Sequence, residues 1–185
     1  EAESRVTIAS EYKYTGHRKT GVNIASIKVP ENLTISGDKG VATQGADLSG
    51  RRLIIRSKNG DIIDYDMPLD MTFQYDMPFH DWWTIKGHKD THTTKYQGID
   101  YLELSAPNGT IKQTGTNSFA GKDGVLIEGK YVYKPSYQED LIIEQRKRRS
   151  TRIEIRTPKQ GGIISTGKVI FKTSDATLMG ATIIA

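Results

Sequence analysis

His88-Lys89-Asp90-Thr91-His92 is the stretch of this chain whose residue types come closest to metal chemistry. On an extended strand alternate residues share a face, so His88, Asp90 and His92 would converge. Two imidazoles and one carboxylate are the ligands of a facial-triad iron site, or of a catalytic zinc site with an open position. Two facts weigh against an enzyme of that kind. No histidine follows His92 to supply a ligand from a distant strand. Three ligands within five residues also wrap one ion only where the strand bends. A polar, exposed loop ending in Thr91-His92-Thr93-Thr94 is the stronger expectation, and the sequence asks for no cofactor.

Just upstream lie His80, Asp81, Trp82 and Trp83, which include both tryptophans of the chain. Adjacent residues of a strand point to opposite faces, so one indole can enter a core while the other faces outward. An outward tryptophan beside His80 and Asp81 forms an amphipathic platform suited to a sugar ring or to a protein interface. Burial of both rings is the plainer alternative.

A third group is basic. Arg146, Lys147, Arg148 and Arg149 run together, with Arg152, Arg156 and Lys159 beyond them. Against Glu144 and Glu154 these seven bases leave residues 144–159 at +5, more than the +4 of the whole chain. Such a patch attracts sulfated glycans, anionic lipid or nucleic acid, although a charge run is most often a solvated surface. Binding of single-stranded nucleic acid requires aromatics among the bases. The nearest in sequence are Tyr131, Tyr133 and Tyr137, which disfavours that partner. Phosphate loops, dinucleotide fingerprints, nucleophile elbows and zincin helices are all missing.

The elements that would position these groups read as β-structure. Leu53-Ile54-Ile55 and Ile62-Ile63 flank Asn59-Gly60, a strong hairpin signal. Tyr101–Leu104 and Ile111 flank Asn108-Gly109, and Phe119-Ala120 and Val125–Ile127 flank Lys122-Asp123-Gly124. Tyr131–Tyr133, Val169–Phe171 and Thr182–Ile184 are further β-competent runs. Two short echoes occur: Val6–Ser10 resembles Val22–Ser26, and Tyr-Asp-Met-Pro appears at Tyr65 and again at Tyr75. Proline lacks an N–H and restricts the residue before it, so the second echo predicts edge corners on either side of a short strand, Met71–Tyr75. Ser136 to Glu139 has capping-box form, which predicts a short helix over 136–149. Its rival is a hairpin of Leu141–Ile143 against Ile153–Ile155 with the basic run at the tip.

Turn signals recurring every 8–12 residues predict an all-β fold, an antiparallel β-sandwich of jelly-roll or immunoglobulin-like type in one domain over 1–185. Composition agrees with a globular chain, 36% hydrophobic and 26% charged. There are no cysteines, hence no disulfide framework, and no apolar run long enough to span a membrane. A first residue other than methionine points to an exported, extracellular or cell-surface protein; two glycosylation sequons, at Asn32 and Asn108, add little because such triplets are common by chance. The functional expectation is a non-enzymatic structural or adhesive subunit that self-associates by strand addition. Residues 1–15, with Val6 and Ile8 on one face, are candidates for strand exchange. A glycan- or polyanion-binding module and a metal-dependent enzyme are the alternatives.

Overall fold

The period-two segments do form strands, but most pair in parallel instead of folding back as hairpins. The computed structural model describes residues 7–8, 13–19, 24–65, 67–79, 82–134, 138–146, 149–157, 161–179 and 181–185. For residues 7–8, 13–19, 68–79, 82–91, 133, 138–146 and 149–157 the description is of the backbone alone. In chain order the strands are β1 (Thr7–Ile8), β2 (Lys13–Lys19), β3 (Ser26–Lys28), β4 (Asn32–Gly37), β5 (Gly40–Gln44), β6 (Asp47–Ser57), β7 (Asp61–Tyr65), β8 (Met67–Phe79) and β9 (Trp82–His92). There follow β10 (Lys95–Gln113), β11 (Asn117–Ala120), β12 (Gly124–Lys134), β13 (Gln138–Arg146), β14 (Arg149–Thr157), β15 (Gly161–Ser165), β16 (Val169–Lys172), β17 (Asp175–Leu178) and β18 (Ala181–Ile184). The chain divides into two units, one of residues 24–67, 93–137 and 158–185, the other of residues 1–23, 68–92 and 138–157.

The first unit is a twelve-stranded sheet whose described pairings are all parallel. Each residue lies beside one that follows it by a whole turn of chain. Leu33 pairs Leu53 after 20 residues, Ser26 pairs Asp47 after 21, Tyr96 pairs Ser118 after 22 and Leu102 pairs Val125 after 23. This is the wiring of a parallel β-helix, in which the chain winds through three faces per coil and each coil lies on the one before. The first face is β3, the start of β6, the start of β10, β11, β15 and β18. The second is β4, the rest of β6, the middle of β10, the start of β12 and β16. The third is β5, β7, the end of β10, the end of β12 and β17.

Inward positions stack into columns along this unit. Leu33, Leu53, Leu102, Val125 and Val169 form one, and Ile35, Ile55, Leu104, Ile127 and Phe171 the next. On the third face Val41, Ile62, Ile111, Val132 and Ala176 follow the same rule. The middle members are fully buried. Each such side chain contributes about 1.5–3 kcal/mol on leaving water.

The second unit is a six-stranded sheet in the order β1-β2-β8-β9-β13-β14, antiparallel in every described pairing. It is assembled from the N-terminal segment and two excursions out of the solenoid. Both excursions leave after the third face, following β7 and β12, and return before the first face, at β10 and β15.

These findings correct the sandwich expectation. Asn59-Gly60, Asn108-Gly109 and Lys122-Asp123-Gly124 are turns, but they carry the chain around a solenoid corner instead of reversing it. The strands flanking Asn59-Gly60, β6 and β7, pair side by side with different parts of β10. Gly60 and Gly109 do not adopt the positive φ that a two-residue hairpin requires. Glycine is required there for lack of space: a Cβ on Gly60 would strike the Lys39 carbonyl of the coil below, and one on Gly109 would strike that of Gly60. The expected helix is also absent among the described residues of 136–149. That segment is β13, and Leu141, Ile142 and Ile143 pair with Glu154, Ile153 and Arg152, as the hairpin rival has it. Both prolines of the echo, Pro68 and Pro78, fall in a single thirteen-residue strand, β8, in place of two corners around Met71–Tyr75. The β2 ladder covers only Asp70 to Asp76, so it asks neither Pro68 nor Pro78 for an N–H.

Gly60→Ala is expected to lower stability by about 1–3 kcal/mol through this backbone collision. Asn59→Ala loses only an exposed hydrogen bond from Asn59 Nδ2 to Asp38 Oδ1 at 3.2 Å and should cost under about 0.5 kcal/mol. Urea midpoints of the two variants check the ranking; equal losses would contradict the corner geometry.

Candidate functional site

One inward column breaks the aliphatic rule. Thr43 pairs Asp64, Asp64 pairs Gln113, and Lys134, one residue past the Lys112–Tyr133 pair, continues the line to Leu178. Each polar member lies two residues after an aliphatic one (Val41, Ile62, Ile111, Val132), at the last inward position of the third face. Asp64, Gln113 and Lys134 are each only 1% exposed. Tyr96 and Thr116, both 0% exposed, join them from the adjoining corner and first face.

The hydrogen bonds account for nearly every polar atom. Asp64 Oδ1 accepts from Thr43 Oγ1 and Tyr96 OH. Asp64 Oδ2 accepts from Gln113 Nε2 at 3.3 Å and Thr116 Oγ1 at 3.2 Å. Lys134 Nζ donates to the Thr116 carbonyl at 2.7 Å and to Gln113 Oε1 at 3.4 Å. A carboxylate and an ammonium are thus joined through one carboxamide and one threonine. Burial raises the Asp64 carboxyl above the usual carboxylate range, and its four donors only partly oppose this. Burial lowers the Lys134 ammonium to about 8, opposed by the charge of Asp64. The Tyr96 hydroxyl is pushed well up, by burial first and then by Asp64.

Perturbed groups of this kind often mark catalysis. Here the carboxylate already accepts four hydrogen bonds, from the buried Tyr96, Gln113 and Thr116 and from the half-buried Thr43. The column works instead as a register lock: sliding any coil by one residue would strand a buried charge, at several kcal/mol. A second polar feature lies on the outside of the second face. Arg56 Nε donates to Glu103 Oε1 at 2.7 Å, the Tyr101 hydroxyl donates to Glu103 Oε2 at 3.2 Å, and the Arg52 guanidinium lies 4.4 Å from the Tyr101 ring centre. It too ties neighbouring coils together.

The residues singled out from sequence fall mainly in the antiparallel unit. His88, Asp90 and His92 occupy alternate positions of strand β9, with His88 opposite Asp140 of β13, in place of the exposed loop expected there; Thr93 and Thr94, where that loop was to end, are buried. Among the described residues no group of three metal-ligating side chains is present. His80 and Asp81 lie outside the described residues. Trp82 stands opposite Arg146 and Trp83 opposite Gln145. Arg146 in turn faces Arg149 across the β13–β14 ladder, and Arg152 faces Ile143; Lys147 and Arg148 lie outside the described residues. The topology therefore sets an aromatic residue beside the basic run, which neighbours in sequence do not supply. Val6 lies outside the described residues, and Ile8 pairs Tyr14 of its own chain. The closing Ala181–Ile184 pairs β15. The sequon asparagines, Asn32 and Asn108, are exposed. No described helix is long and apolar enough to cross a membrane.

Comparison with protein-family models, with curated proteins and with solved structures finds no match to the chain.

The Lys134 shift has a definite sign in stability. Its folded pKa, about 8, lies below the unfolded value of 10.5, so the unfolded chain holds the extra proton between them. Stability should therefore rise with pH from about 8 to about 10, by about 2 kcal/mol at most. Asp64, whose folded pKa is raised by burial, has the opposite slope, its contribution fading as pH rises above the ordinary carboxylate value. Urea unfolding of the wild type and Lys134→Met at pH 7, 8, 9 and 10 isolates the lysine. The variant should lack the rise, and parallel curves would contradict this account.

Proposed function

We propose that this protein is a non-enzymatic structural or adhesive subunit that acts outside the cell, a solenoid shaft that lengthens by strand addition from a second copy. The observation that carries the reading is the state of the solenoid's two ends. Among the described residues, β3, β4 and β5 have a strand partner on one side only, and so do β16, β17 and β18. Their inward positions are apolar and partly uncovered: Ile27 is 45% exposed, Leu178 39% and Ile183 41%. An apolar parallel edge offers main-chain hydrogen bonds and side-chain pockets to an incoming strand. Both ends are windings of the same three-faced type, so one copy carries both halves of the contact. A heterologous contact of this type leads to open filaments unless its rotation closes a ring. The exposed sequon asparagines are compatible with an exported chain.

Light scattering coupled to size-exclusion chromatography tests the proposal. The wild type should form concentration-dependent oligomers, and Ile27→Glu combined with Ile183→Glu should remain monomeric with an unchanged far-ultraviolet spectrum. A wild type that is monomeric at every concentration would refute end-to-end growth.

A further inference from the structure

We infer that the end of the antiparallel sheet where β9, β13 and β14 meet binds an acidic polysaccharide, with Trp82, Arg146 and Arg149 as one row of the site. The register carries the inference. Trp82 is paired with Arg146, and Arg146 with Arg149, so the three positions form a single line across three adjacent strands. Strands lie about 4.8 Å apart, so the line is about 10 Å long, the span of two sugar residues. Arg146 and Arg149 lie 64 and 67 positions after Trp82 in sequence, and the pairing of strands from two separate excursions brings them beside it. The inference does not depend on how the solenoid ends assemble.

The residue types select the ligand. An indole stacks on the apolar face of a pyranose ring, and guanidinium groups hold sulfate or carboxylate groups in forked hydrogen bonds. The same row could stack a base and hold a phosphate. The row two residues along distinguishes these partners: Thr84, Glu144 and Thr151 stand in register there. Alternate rows of a pleated sheet share a face, so this set accompanies Trp82, Arg146 and Arg149. A carboxylate between two hydroxyl-bearing residues accepts hydrogen bonds from free sugar hydroxyls, of which a polysaccharide offers several at each residue, RNA one and DNA none. The intervening row of Trp83, Gln145 and Ser150 provides a second aromatic and amide at the same end of the sheet.

The test uses the full chain, with heparin as probe and dextran, desulfated heparin and an oligo-dT of matched charge as competitors, at fixed salt. Arg146→Ser with Arg149→Ser should weaken heparin binding by about tenfold or more and flatten its salt dependence by about two counterions. Trp82→Ala should weaken binding by about fivefold or more with the salt slope unchanged, and Trp82→Phe should restore most of it. Lys28→Ser with Lys58→Ser, on the solenoid, removes equal charge and should change little. Binding unaffected by Trp82→Ala, an equal loss in the solenoid variant, or preference for oligo-dT over heparin would each overturn the inference. Should Trp82→Ala not fold, by circular dichroism, the arginine pair against the solenoid pair decides.

Discussion

The stacking of inward side chains, coil on coil, is the interaction on which the rest of this structure depends. A parallel strand has no hairpin partner to hold it, and its hydrogen bonds reach only to neighbours a full coil away. What fixes each coil is therefore the fit of Leu53 between Leu33 and Leu102, and of Ile55 between Ile35 and Leu104. Like lies on like along these columns, so the packing is solved once and reused. The corner glycines follow from the same constraint: coils that stack at strand spacing leave no room for a Cβ where the Gly60 backbone passes Lys39.

Columns of interchangeable aliphatic residues have a weakness, since one coil could slip against the next at small cost. The column of Thr43, Asp64, Gln113 and Lys134 removes that freedom. Its hydrogen bonds are specific to one register, and an unpaired Asp64 or Lys134 in the interior would be far more costly than a misplaced leucine. The column ends at Leu178, where the polar pattern returns to the aliphatic one. It occupies the last inward position before the corner from which both excursions depart. Coils interrupted by excursions of more than twenty residues have the least help from chain connectivity in finding their neighbours, and this corner is where a register lock has the most effect.

Much of this was legible in the sequence at the level of elements and little of it at the level of pairing. The apolar runs at Leu53–Ile55, Tyr101–Leu104, Val125–Ile127 and Val169–Phe171 are all strands. Period two does not distinguish parallel from antiparallel partners, so Asn-Gly between two runs was a natural hairpin signal. The distinguishing pattern was present: Leu33-x-Ile35-x4-Gly40, Leu53-x-Ile55-x4-Gly60 and Leu102-x-Leu104-x4-Gly109 repeat one motif. Its first interval is 20 residues, but the excursion through β8 and β9 stretches the second to 49. The polar column was hidden by the same break. Asp64 or Lys134 alone reads as an ordinary surface charge, and only alignment of the coils places both on inward positions after Ile62 and Val132.

The excursions also explain why the sequence kept its most suggestive residues apart. A strand pair emerging from one coil carries Trp82 and Trp83, and a strand pair emerging two coils later carries the arginines. Because both leave the same corner, their strands can share one sheet, and β9 pairs β13 in antiparallel register. Separation along the chain says nothing about separation in space when the scaffold between is a winding of fixed pitch. An aromatic absent from the sequence neighbourhood of Arg146 stands at the paired position of the strand beside it. The division of labour is common in repeat proteins: the coils provide a regular frame, and segments inserted between them carry residues that the columns do not use.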